Sequence, residues 1–153
     1  VAFDEPKNIN ARGGMLIGSC LAGVAFTKGL GLVHSISHMI GAEYNTQHGL
    51  TNAIILPAVM KFNLPHVEEK LRFISNAMNL KDASSDAIVK EIEQILDYVD
   101  IPRSLSEIGV PLECKKRIAK KAMLDSATGT NPRVAQIKDV EKLTEVSILS
   151  ARA

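Results

Sequence analysis

The sequence has few cysteines, few aromatic residues and almost no net charge. Only Cys20 and Cys114 occur among 153 residues, too far apart for a C-x-x-C motif. They exclude a disulfide framework and make a reducing cytoplasm the expected location. Tryptophan is absent and aromatic residues make up 4%, so the core must be aliphatic, which suits helices better than a β-sandwich. The net charge of +1 gives no reason to expect binding to nucleic acid or to an anionic membrane surface.

An apolar segment rich in small residues spans positions 14–26 and follows Arg12. It resembles the core of a signal peptide, but Asp4 and Glu5 occupy the region that should be positively charged, and no A-x-A-like cleavage site follows directly. The segment is also shorter than the roughly 20 residues that cross a bilayer. Its glycine, alanine, serine and cysteine content therefore predicts a buried core helix in close contact with its neighbours, and no membrane association.

Helical spacing of apolar residues recurs through the rest of the chain. Turn-forming segments at 79–82, 101–102, 109–111 and 128–132 separate the stripes, and Ser84 or Ser85 is a candidate N-cap. Sustained apolar and polar alternation is absent from the sequence. At 46% hydrophobic and 23% charged residues, residues 1–153 are therefore predicted to form a single all-α domain, a multi-helix bundle of six or seven helices. The apolar stripes are Val67, Leu71, Ile74 and Met78; Ile88, Ile92, Ile95, Leu96 and Val99; Leu112, Ile118, Ala119, Ala122 and Met123; and Val140, Leu143 and Val146.

Three of the four histidines fall within 15 residues, at His34, His38 and His48. His34 and His38 are spaced i, i+4, so on a helix they share one face. A non-helical stretch over 41–47 is expected next, and a second helix begins at about position 48 or 49. Glycine would be required at Gly49 if the chain turns tightly after His48. That arrangement lets imidazoles from two helices converge, and neutral imidazole is the commonest protein ligand for zinc, iron, nickel and copper.

Other interpretations of this region are weaker or excluded. An i, i+4 histidine pair is often only a polar stripe on a helix, and Glu43 is the only acid in the segment. Three histidines without a fourth ligand indicate a catalytic or incomplete site rather than a closed structural one. The sequence has no H-E-x-x-H, Walker A or G-x-S-x-G motif, and the glycines at 29 and 31 follow no predicted strand. His66 is predicted to lie on the surface.

Several segments resemble the iron-containing (group III) alcohol dehydrogenases. The first is GLGLVHSISHMIGAEYNTQHGLTNAIILPAVMKFN at positions 29–63, with its H-x3-H-x9-H-G spacing. DIPRSL at 100–105, IGV at 108–110 and DSATGTNPR at 125–133 follow in the same order. The small-residue segment before Thr27 is also similar. The resemblance covers nearly the whole chain and implies the helical, metal-binding C-terminal domain of the dehydroquinate synthase-like fold.

The resemblance also implies a function and a site. His34 and His48 correspond to metal ligands, and His38 corresponds to the catalytic histidine beside the nicotinamide. The implied metal is Fe²⁺, with Zn²⁺ as a competitor. NAD or NADP would bind through a nucleotide-binding domain of the same protein, N-terminal to this one. The family's other two ligands come from a D-x3-H motif, which these 153 residues lack.

The implied activity is hydride transfer between a small alcohol and its aldehyde or ketone, in a homo-oligomer. This chain alone is expected to be inactive. Two alternatives remain open at this stage. One is a polyol dehydrogenase or aldehyde reductase of the same fold, and the other is a stand-alone helical bundle that binds a metal or a partner.

Overall fold

A computed structural model describes residues 1–152, and within that range the regular structure is entirely helical. The all-α prediction is therefore confirmed. Short 3₁₀ turns lie between several of the α-helices. The α-helices are α1 (Ile9–Ala25), α2 (Leu32–Tyr44), α3 (His48–Asn63), α4 (Glu68–Ala77), α5 (Ser85–Tyr98), α6 (Lys115–Ala122) and α7 (Ile137–Leu149).

Side-chain caps fix where several of these helices begin. The side chain of Ser84 accepts a hydrogen bond from the backbone N–H of Ala87, which confirms the predicted N-cap of α5. Gln47 caps α3 in the same way through the backbone N–H of Leu50. A capping box between Gln136 and Asp139 starts α7. Each cap satisfies backbone donors that the first helical turn leaves without an intrahelical partner.

Two hydrophobic clusters hold the bundle together. The larger lies among α2, α3, α6 and α7, where Ile36 and Ile40 of α2 and Ile54 and Ile55 of α3 are fully buried. The smaller joins α4 and α5 to the end of α3. The predicted stripe of α4 packs there, against buried Ile88 of α5. Burial of these aliphatic side chains is the main favourable contribution to the fold.

Helix α1 contradicts the prediction of a buried core helix. None of its residues is buried, and large apolar side chains such as Leu16 and Leu21 are mostly exposed. A Cβ added at Gly14 or Gly18 would meet nothing within 4 Å. The small residues therefore allow close packing in principle, but none of them is buried by the rest of residues 1–152.

The helical stretch Ile9–Lys28 also has the length and apolar character of a membrane span. It covers 20 residues with a mean hydropathy of 1.3. The prediction counted only the apolar segment 14–26 and was therefore wrong about the length of the helix. Core helices of soluble proteins and signal sequences can reach the same length and mean hydropathy. These two properties therefore do not identify a membrane protein.

A polar junction at Asn131 fixes the start of α2 against the end of α3. Its Oδ1 accepts hydrogen bonds from the backbone N–H of Leu32 at 3.1 Å and from the side-chain amide of Asn63 at 2.9 Å. Its Nδ2 donates to Asn63 Oδ1 at 2.7 Å. Gly31 precedes α2 with a φ of +89°, and a Cβ there would lie 3.0 Å from Asn131 Oδ1. Glycine is favoured at this position for both reasons. The junction sets the relative position of the two helices that carry the histidines.

Candidate functional site

Helices α2 and α3 bring the three histidines together. His34 and His38 lie one turn apart on α2, and His48 is the first residue of α3. The ring centroids are 5.8 Å apart for His34 and His38, 5.3 Å for His34 and His48, and 5.6 Å for His38 and His48. The convergence of imidazoles from two helices is therefore present in the structure.

The segment between the helices differs from its prediction. Residues 41–44 continue α2, and only 45–47 are non-helical. The reversal occurs at Asn45, which adopts the left-handed conformation with a φ of +53°. Gly49 lies inside the first turn of α3, where an added Cβ would meet only the Gln47 side chain, at 3.4 Å. The tight turn after His48 that would require glycine at Gly49 does not occur, because Asn45 already reverses the chain. Asparagine adopts this conformation more readily than most residues.

The side chain of Asn52 links two of the histidines. It lies one turn after His48 on α3, and its Nδ2 is 3.0 Å from His48 Nε2 and 3.3 Å from His34 Nε2. Both Nε2 atoms are therefore directed at one point. Sequence reasoning missed Asn52, although its i+4 spacing from His48 places the two side chains on one helical face.

The third histidine has a different partner. His38 Nδ1 lies 2.9 Å from Oδ2 of Asp125, whose side chain is 14% exposed. The other carboxylate oxygen of Asp125 accepts the backbone N–H of Ala127 at 2.8 Å and caps a short 3₁₀ helix, Ser126–Thr130. Sequence reasoning noted Asp125 only as the first residue of a family-like segment. Nothing local in the sequence indicates a contact across 87 positions.

The pKa values of His34 and Asp125 are both lowered by their surroundings. Burial lowers the pKa of His34, and the neighbouring rings of His48 and His38 lower it further. Burial raises the pKa of Asp125, but hydrogen bonds from His38 and from the Ala127 N–H outweigh it, and the net pKa is lowered. The environment therefore favours a neutral His34 and an ionised Asp125. A neutral imidazole is the form that binds a cation.

A cavity of about 280 Å³ adjoins His38. Gly29, Leu30, Ser126, Ala127 and Thr130 line the rest of it. The cavity lies between the start of α2 and the short helix that Asp125 caps. His38 is thus the only one of the three clustered histidines that lines this cavity.

The residues present fit a divalent cation as two of its ligands. His34 Nε2 and His48 Nε2 converge on one polar atom, and both belong to a side chain that coordinates iron and zinc well. Residues 1–152 contain no group of three or more His, Cys, Asp or Glu arranged to hold a metal. The carboxylate of Glu43 instead forms ion pairs with Arg117 at 2.8 Å and Lys121 at 2.6 Å. Further ligands would have to come from outside these residues.

Comparison with known proteins gives consistent matches over nearly the whole chain. The family profile described as "Fe-containing alcohol dehydrogenase family, C-terminal" matches residues 1–148. Lactaldehyde reductase of Escherichia coli (strain K12) is 39% identical over 136 residues, covering 84% of this chain and 36% of that protein. The NAD-dependent methanol dehydrogenase of Bacillus methanolicus is 38% identical over 150 residues, covering 93% and 39%.

Solved structures agree with these sequence matches. An alcohol dehydrogenase from Oenococcus oeni superposes with a TM-score of 0.88 at 29% identity, covering 95% of this chain and 40% of that one. A 1,3-propanediol oxidoreductase superposes with a TM-score of 0.87 at 30% identity, covering 93% and 39%. The chain spans 36% to 39% of the length of the two curated relatives above.

Proposed function

This chain belongs to the Fe-containing alcohol dehydrogenase family and matches its C-terminal portion, and we propose that it holds the divalent metal and the substrate of an NAD(P)-linked oxidoreductase. The proposed reaction interconverts a small alcohol and its aldehyde or ketone. The proposed partner is an N-terminal nucleotide-binding domain of the same protein, within a cytoplasmic homo-oligomer. As a separate chain, these residues are expected to be inactive.

The convergence of His34 Nε2 and His48 Nε2 is the observation that carries the proposal. These two atoms would ligate Fe²⁺, or Zn²⁺ in its place, together with ligands outside the described residues. A bound cation supplies Lewis acidity toward the alcohol oxygen, and the nicotinamide of NAD or NADP accepts the hydride. The third clustered histidine, His38, is left out of the proposed ligand set, because the Nε2 atoms that contact the shared point at Asn52 Nδ2 are those of His34 and His48.

The proposed role of His38 is to position the substrate and move its hydroxyl proton. Asp125 accepts a hydrogen bond from His38 Nδ1, which leaves Nε2 of the neutral ring as the proton acceptor. His38 also lines the adjoining cavity, so a substrate bound there would lie next to this ring. An ionised Asp125 stabilises the imidazolium that forms when His38 takes up a proton.

The names of two relatives favour reduction of an aldehyde, or oxidation of a diol, as a second candidate activity. One is a lactaldehyde reductase and another a 1,3-propanediol oxidoreductase. The active-site chemistry is the same in both directions. Assays in both directions, with lactaldehyde and with 1,2- and 1,3-propanediol, therefore distinguish the substrate classes.

A fusion protein tests the proposal. This chain would replace the C-terminal portion of E. coli lactaldehyde reductase, so that the N-terminal portion supplies the missing elements. We expect NAD(P)-linked activity that falls at least 100-fold after chelation and returns with Fe²⁺ or Zn²⁺. His66→Ala serves as a matched control, because His66 is exposed and lies outside the cluster. A folded fusion whose activity does not respond to chelation would contradict the proposal.

A further inference from the structure

The side-chain amide of Asn52 occupies the point toward which two imidazoles are directed. Its Nδ2 lies 3.0 Å from His48 Nε2 and 3.3 Å from His34 Nε2. An amide nitrogen carries two hydrogens, so it can donate one to each ring. Both imidazoles are then tied to a single group on α3, although His34 belongs to α2.

The hydrogen-bonding groups around Asn52 favour the orientation in which nitrogen faces the rings. In that orientation the amide Oδ1 is buried and has no hydrogen-bond partner within residues 1–152. Turning the amide over would let oxygen accept from two ring N–H groups, but it would place the NH₂ group, with two hydrogens, in the buried position that offers no partner. Unpaired buried acceptors are less costly than unpaired buried donors. Asn52 is therefore the donor in both contacts.

Donation by Asn52 determines where the imidazole protons lie. A neutral imidazole has one N–H, so a ring whose Nε2 accepts a hydrogen bond carries its proton on Nδ1. The Nδ1 of His34 is buried and has no partner among residues 1–152. The Nδ1–H tautomer therefore leaves one buried N–H unpaired, whereas the turned-over Asn52 amide would leave two. The tautomer of His34 is therefore set from the Nε2 side, where Asn52 is the hydrogen-bond partner.

The lone pairs that accept these hydrogen bonds are the ones a metal would need. Each Nε2 has a single lone pair in the ring plane, so a cation bound there would replace the hydrogen bond from Asn52. The Nδ1–H tautomer is also the one that leaves Nε2 free to coordinate. The hydrogen bonds from Asn52 thus keep both Nε2 atoms unprotonated, and both bonds must break before a cation can bind there.

We propose that Asn52 is a positioning residue that keeps His34 and His48 in the Nδ1–H tautomer and gives up both hydrogen bonds when a divalent cation binds. The second part rests on the proposed function, and the first does not. Asn52 acts on the ligands in the metal-free chain. It is not assigned any contact with substrate or nucleotide.

Nitrogen-15 NMR of the metal-free chain tests the first part. Spectra are recorded at a pH where the imidazoles are neutral. In the wild type we expect the Nδ1–H tautomer for His34 and His48. Asn52→Leu removes the donor, and we expect the Nε2–H tautomer, which free histidine prefers, to become populated in both rings. Asn52→Asp offers only acceptors and should produce Nε2–H in at least one ring.

Controls keep the result interpretable. Asn76→Leu is the matched control, because Asn76 is exposed on α4; its histidine spectra should equal the wild type. Circular dichroism checks folding, and Asn52→Asp provides a second variant if Asn52→Leu does not fold. Nε2–H signals for both rings in the wild type, or unchanged tautomers in the Asn52 variants, would overturn the proposal.

Titration of the wild-type chain with Zn²⁺ tests the second part. We expect the Nε2 signals of His34 and His48 to shift together with the side-chain amide signals of Asn52. Ring shifts without a change at Asn52 would overturn the displacement. If the tautomers are as proposed but Zn²⁺ moves no ring signal even at millimolar concentration, the tautomer assignment stands, and it is metal binding by this chain that fails.

Discussion

Replacing His38 by alanine is expected to slow hydride transfer in the fusion enzyme by about 100- to 10,000-fold, the range for loss of a general acid–base group. The ring is one helical turn from His34 and lines the adjoining cavity, and Asp125 fixes its orientation. His38→Ala would remove both the proton acceptor and one part of the cavity wall. Metal content should remain unchanged, because the Nε2 atoms that meet at Asn52 Nδ2 belong to His34 and His48 and not to His38.

The measurement is the single-turnover rate of NAD(P)H formation, with metal content determined on the same preparation. His38→Gln is a useful companion variant, since it keeps a polar side chain but removes the titratable ring. A rate within threefold of the wild type for His38→Ala would exclude a role for His38 in the chemical step. Loss of metal together with rate would instead place His38 among the ligands.

Asp125→Asn is expected to lower kcat by about 10- to 100-fold with little change in KM. The carboxylate accepts from His38 Nδ1 and from the Ala127 N–H, whereas an amide can offer only one oxygen to these two donors. His38 then loses either its orientation or its stabilised imidazolium. The matched control is Asp82→Asn. Asp82 accepts similar local hydrogen bonds from Ser84 but lies on the surface, away from the histidines.

The loss of folding stability in Asp125→Asn is expected to depend on pH. The folded-state pKa of Asp125 is lowered below its ordinary value of 3.8, so the interactions of the carboxylate stabilise the folded chain at higher pH. That stability is present above the ordinary pKa and is lost as the pH falls through the lowered one. Urea unfolding of the chain should show Asp125→Asn less stable by about 1–2 kcal/mol at neutral pH, with the difference shrinking in acid below about pH 4. If the difference in unfolding free energy between wild type and Asp125→Asn stayed constant into strong acid, the charge of the Asp125 carboxylate would contribute nothing to stability.

Local patterns in the sequence were sufficient to predict most of the bundle. Helical spacing of aliphatic residues located α4 and α5, and Ser84 marked the start of α5, because both signals act within a few residues. The i, i+4 pair of His34 and His38 placed both rings on one face of α2 for the same reason.

The features that the sequence did not reveal depend on contacts between distant segments. The hydrogen bond from His38 to Asp125 and the junction of Asn131 with α2 and α3 join residues more than 60 positions apart. The error about α1 has a different origin. Its apolar and small residues are those of a buried helix, but burial needs a neighbouring surface, and residues 1–152 bury no residue of α1.

Metal binding by the fusion enzyme tests the central claim most directly. The stoichiometry and affinity for Co²⁺, used as a spectroscopic substitute for iron or zinc, would be measured for the wild type and for His34→Ala, His48→Ala, His38→Ala and His66→Ala. The account predicts one ion per chain in the wild type, in His38→Ala and in His66→Ala, and affinity at least 100-fold weaker in the other two. Equal loss in all three cluster variants, or unchanged binding in His34→Ala and His48→Ala, would contradict it.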